Sequence, residues 1–139
     1  MTDDAPHIRY FHMGQWPCYV GFTTDADAFN AEMKRLRVDN PPQFVANDHS
    51  HATTHFLYNR DMLTVIVTIR RQRKRMKEQI AALIAHESVH VMQEMERQFY
   101  TGGRFDAETE AYLVQYLTQQ FLIEYNNPGK QMTRRIEPD

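Results

Sequence analysis

Cys18 is the only cysteine in 139 residues. One thiol cannot close an internal disulfide, so cross-linking is excluded as a source of stability and a reducing compartment fits. Its neighbours Trp16, Pro17 and Tyr19 suggest a buried thiol. Long apolar runs are also missing. Nothing approaches the roughly 20 residues a membrane-spanning helix needs, and the acidic opening Met1-Thr2-Asp3-Asp4 lacks the basic start and apolar stretch of a secretion signal. Nor is there an excess of one charge. With 16 Lys and Arg against 18 Asp and Glu, the formal charge of −2 gives no global pull towards nucleic acid or an anionic membrane. Repeats and low-complexity segments are absent. A hydrophobic content of 42% over this length is enough for one core. The expectation is a single domain over residues 1–139, with 1–7 and 127–139 as loose tails.

What is present reads as strands followed by helices. Ile8 to Met13 is a short extended segment, and Cys18 to Thr23 is a strand. Thr24 or Asp25 caps a helix to about Arg37, with Ala28, Phe29, Met33 and Leu36 on one face. Asp39-Asn40-Pro41-Pro42 ends that helix. Ala52 to Tyr58 and Met62 to Arg70 are rich in Thr, Val, Ile and aromatics, and Asn59-Arg60-Asp61 between them suits a hairpin turn. A long helix then runs from about Met76 to Arg97. Thr101-Gly102-Gly103 breaks it, and Asp106 caps a second helix over roughly Ala107 to Tyr125. This order predicts an α+β fold, a small antiparallel sheet or hairpin followed by two helices.

Within the first long helix lies His86-Glu87-Ser88-Val89-His90, an H-E-x-x-H pentapeptide. Histidines four apart share one helix face, so both imidazoles can reach one metal ion. A glutamate directly after the first histidine sits beside that ion, where a carboxylate can take a proton from an activated water. Zinc in a catalytic site takes three protein ligands and keeps one position open, so a third ligand is expected downstream. The second helix offers Glu108 and Glu110 in its first turn, where acidic side chains also suit the helix dipole. Glu108 extends the stripe of Ala111, Tyr112, Gln115 and Leu122. Glu110 extends the stripe of Leu113, Val114 and Leu117, and periodicity leaves the two open.

H-E-x-x-H followed by a helix carrying E-x-x-A near its start resembles the gluzincin branch of zinc metallopeptidases. In several gluzincin-like families the ligand is the first Glu of an E-x-E-A-[D/N] segment. The resemblance therefore implies Glu108 on the metal, and Tyr112 where those families keep an Asp or Asn. It also implies a minimal zincin-like domain with the metal helix and a C-terminal glutamate-ligand helix. The wider chain is similar to a group of small proteins encoded by tailed bacteriophages and prophages. That similarity rests on Ala52-Thr53-Thr54-His55-Phe56-Leu57, on Leu83 through Gln93 and on Glu108 through Gln115, and spans about Pro17 to Phe121. It implies a viral origin, with the host cytoplasm or the virion as location, and leaves the substrate open.

In zincins the strand before the metal helix borders the cleft. On that pattern His55 faces the site and can hydrogen-bond an oxyanion. Tyr112 or Tyr100 can donate to the same oxyanion. Asp48-His49-Ser50-His51 reads either as a second metal site or as a loop with solvated histidines. Arg70-Arg71-Gln72-Arg73-Lys74-Arg75-Met76-Lys77 carries six positive charges in eight residues. Lacking interleaved aromatics, it reads better as a solvated basic face than as a nucleic-acid patch. The leading expectation is a zinc-dependent hydrolase, most plausibly a peptidase acting on a peptide or protein. His86, His90 and Glu108 hold Zn²⁺, Glu87 is the general base, and His55 and Tyr112 assist. The alternatives are a non-catalytic phage structural or host-interaction protein with a stabilising metal site, and nucleic-acid binding through residues 70–77.

Overall fold

The computed structural model describes residues 7–128. The elements in chain order are β1 (Tyr10–His12), β2 (Cys18–Thr23), α1 (Ala26–Arg35), β3 (Ala52–Asn59), β4 (Met62–Ile69), α2 (Lys77–Phe99) and α3 (Ala107–Asn126). The chain is thus α+β as expected, and the two acidic caps act as read. The Asp25 carboxylate accepts from the Ala28 amide at 2.9 Å and Asp106 from that of Thr109 at 2.7 Å. Each satisfies an amide that the first helical turn leaves without a partner. Between β3 and β4 the chain turns through Arg60 and Asp61, with Arg60 at φ 58°, as a tight hairpin requires.

The four strands form one sheet in the order β1-β2-β4-β3. It is mixed rather than antiparallel, which corrects the expected pattern. β1 and β3 run antiparallel to their neighbours, but β2 pairs parallel to β4, Cys18 opposite Leu63 through Thr23 opposite Thr68. The physical reason is the covering of both faces. β4 is central, and Leu63, Val65, Ile66, Val67, Thr68 and Ile69 are all fully buried. A strand buried on both sides can pair in either direction, and its continuous apolar run says so.

Alternation along the strands divides the core. Cys18, Val20, Phe22, Leu63, Val65, Val67 and Ile69 face α2 and α3. Ile66 faces the other way, packing with Ile8, Phe29 and Met33 under α1. Cys18 is fully buried, and loss of solvent pushes its thiol up to about 12. β3 is an edge strand lying beside α2. Its residues Thr54 and Tyr58 meet Glu87 and Glu94 of α2, and its residue His55 meets Phe29 of α1.

Candidate metal-binding helix

α2 holds its 23 residues together with an apolar stripe of Ile84, Val91, Met92 and Met95 against the sheet and α3. The opposite face is left to solvent, and His86 and His90 lie on it, both exposed. Their Nε2 atoms are 3.1 Å apart and their rings stand at 78° to each other. Two ligands on a tetrahedral zinc, each at about 2.05 Å, are separated by about 3.3 Å. The pair is therefore spaced as two corners of one coordination tetrahedron, and the two histidines fit the ion that the motif implies.

Glu87 occupies the flank of α2 that faces β3 and is 6% exposed. Its Oε1 accepts a hydrogen bond from the hydroxyl of Thr54. A buried carboxylate with no donor is costly, so this bond holds the side chain in place. One turn beyond His90, Glu94 accepts from the Tyr58 hydroxyl and is held by Arg97, whose Nε lies 3.0 Å from Oε1. The Arg97 guanidinium and the Tyr58 hydroxyl keep the Glu94 carboxyl below its ordinary range, against the effect of burial. Thr54 and Tyr58 were not singled out in the sequence. The signal was available in strand alternation, because residues 54, 56 and 58 share the face opposite residue 55.

His55 is the counterpart of that rule and a correction. It is buried at 6% exposure on the α1 side of the sheet, its ring 4.6 Å from that of Phe29. Its Nε2 lies 3.1 Å from the Phe44 carbonyl and 3.2 Å from the Thr68 hydroxyl. A carbonyl can only accept, so the proton sits on Nε2. Burial lowers the pKa of the ring. His55 is a core residue fastening the segment around Phe44 to the sheet, and the sheet separates it from His86 and His90.

Glu108 is likewise not brought to the histidine pair. It is exposed on the first turn of α3. α2 runs nine residues beyond His90 to Phe99 before the chain reverses, so the start of α3 meets the last turns of α2. Phe105 N donates to the Glu96 carboxylate at 2.9 Å, and Glu110 hydrogen-bonds Glu96. Glu96 lies six residues past His90, about 9 Å along the helix axis. Glu110 is therefore no alternative ligand either, since Glu96 and Arg104, at 3.2 Å, engage it. Among the described residues no third His, Cys, Asp or Glu joins His86 and His90 in a cluster able to hold an ion. Reversal after Phe99 sets the start of α3 beside the last turns of α2 rather than beside the motif.

Tyr112 is 65% exposed on the outer face of α3, and Tyr100 is 46% exposed. Neither side chain hydrogen-bonds the motif among the described residues. His49 and His51 are exposed, and His51 Nδ1 lies 2.9 Å from the Arg75 guanidinium, which makes it an acceptor there. Much of the basic stretch is occupied in holding the fold. Arg70 donates to the carbonyls of Asp48 and Asn47, and Arg75 to that of Arg70. Arg71 donates to the Tyr125 carbonyl at 2.7 Å and stacks 4.2 Å above the Tyr125 ring. Among the described residues no helix is long and apolar enough to cross a membrane. Compared with known proteins, the chain matches no protein family, no curated protein and no solved structure.

Proposed function

We propose that this protein is a metal-dependent hydrolase built on the His86-Glu87-Ser88-Val89-His90 helix, with zinc as the metal and a peptide as the substrate. The observation carrying this reading is the 3.1 Å separation of the two exposed Nε2 atoms, with the Glu87 carboxylate on the next flank of the same turn. When bound, a zinc ion supplies Lewis-acid activation of water and of a scissile carbonyl. The residues of the chain do the rest. Thr54 fixes Oε1 of Glu87, leaving Oε2 to accept a proton from the attacking water and return it to the leaving amine. The antiparallel edge strand β3 lies along the same side of α2 and leaves one row of backbone groups for an extended peptide. That arrangement of edge strand and motif helix supports a zincin-like reading, without Glu108 in the ligand set.

Metal analysis of the purified chain, never exposed to chelator, tests the proposal. Zinc retained by the wild type and by Glu87→Gln but lost from His86→Ala supports it, and wild-type protein free of divalent metal sinks it. A second reading, a phage structural or host-interaction protein whose metal only stabilises it, draws on the lack, among the described residues, of a third ligand beside the pair. It predicts that Glu87→Gln changes nothing in a fitness assay.

A further inference from the structure

The exposed side of α2 carries a second peculiarity. From Gln79 to Gln93 every exposed or half-buried residue is uncharged, and Glu87, the only charged residue of the segment, is turned inward. Around the two histidines the strip is made of Gln79, Ala82, Leu83, Val89 and Gln93. In a chain that is 24% charged, four turns of exposed helix without a charged side chain form a surface suited to another helix. At its two ends stand charges of opposite sign, Glu78 before it and Arg97 after it, the latter paired with Glu94 on its own helix and with its side chain still 66% exposed.

We infer that a second copy of this chain covers this strip and that one zinc ion is bridged by His86 and His90 of both copies. A twofold axis passing between His86 and His90 sets two α2 helices antiparallel. The same pair then comes from each copy, and four imidazoles complete the tetrahedron that one chain only begins. Antiparallel crossing at a shallow angle brings Arg97 of one copy against Glu78 of the other, twice over. Val89, half-buried between the two histidines, is the side chain nearest the axis and adds no charge to the contact. The inference rests on the metal reading above and extends it. Four imidazoles leave no position for water, so the paired form is closed to hydrolysis and the separated chain is the one open to it.

Sedimentation of the full chain during titration with zinc chloride tests this. The expected result is conversion from one chain to two at about one zinc per two chains, reversed by chelator. His86→Ala and His90→Ala, both on the solvent face, should bind less zinc and remain single. Arg97→Glu should weaken pairing about tenfold, and Glu78→Arg in the same chain should restore it. A single chain holding one zinc overturns the bridge and leaves the metal reading standing. No zinc bound at all overturns both. A pair that forms without zinc, or that survives His86→Ala, also overturns the bridge.

Discussion

Thr54 and His55 are neighbours on β3, yet they face opposite layers of the molecule and have different work. Thr54 donates to the buried Glu87 carboxylate. Thr54→Val keeps the shape and removes the donor, so it should destabilise the chain by about 1–3 kcal/mol in denaturant unfolding, with Thr54→Ser close to wild type. Equal stability of the valine variant would show that Glu87 needs no partner. His55 is buried with its pKa lowered by loss of solvent, so the native state favours the neutral ring. The unfolded chain takes up its proton near pH 6.5. Below that value the unfolded state binds more protons, and stability falls as the pH drops towards the native value. His55→Gln removes this contribution, so its loss of stability between pH 7.5 and pH 5.5 should be smaller than that of the wild type. An identical loss would place the acid sensitivity elsewhere. Glu87→Gln should retain zinc and lower any hydrolytic rate by about 10²-fold or more, the usual share of a general base.

At the scale of elements, most boundaries were legible because local chemistry sets them. Asp25 and Asp106 cap helices through their own carboxylates, whereas both helices stop before the expected breakers, α1 at Arg35 with Arg37 at φ 57° and α2 at Phe99 with Tyr100 already extended. The hairpin of β3 and β4 followed from composition and the Asn59-Arg60-Asp61 signal, with Asn59 taken into β3 and the turn reduced to Arg60 and Asp61. The meeting of α2 with α3 was not legible, since it depends on how far α2 runs beyond the motif. There Glu96 is buried at 6% exposure and shares a hydrogen bond with Glu110. Burial first, and then the Glu110 carboxylate, raise the pKa of Glu96, whereas the bond from Glu96 and the Arg104 guanidinium lower that of Glu110. The two directions favour a protonated Glu96 beside an ionised Glu110. A raised carboxyl contributes stability at low pH and loses it as pH rises through the native value. In Glu96→Gln the amide keeps an acceptor for Phe105 N and a permanent donor for Glu110. The variant should gain on the wild type as pH rises from 5 to 8 in thermal melts. A difference independent of pH would show that no proton is shared.

The whole molecule is organised by pairings too distant for any local pattern to announce. β2 runs parallel to β4 because α1 crosses one face of the sheet between them, and the two long helices cover the other face. Arg71 shows how a residue that reads as surface charge serves this closure. Its guanidinium joins Thr24 before α1 to the last turn of α3. The same global geometry decides the third-ligand question. Local periodicity could not separate Glu108 from Glu110, and a family pattern favoured Glu108. Once α2 extends to Phe99, however, both residues are set beside the far end of that helix and away from His86 and His90. Calorimetric zinc titration of Glu108→Ala should therefore match the wild type, while His90→Ala loses at least an order of magnitude in affinity. Removing His90 halves the imidazoles each chain offers the ion, whereas Glu108 is exposed and among the described residues forms no metal-holding cluster with the pair, so its removal takes nothing from the ion. If Glu108→Ala weakened zinc as strongly as His90→Ala, the helical hairpin would have to close on the ion in solution, bringing α3 along α2 by about two turns.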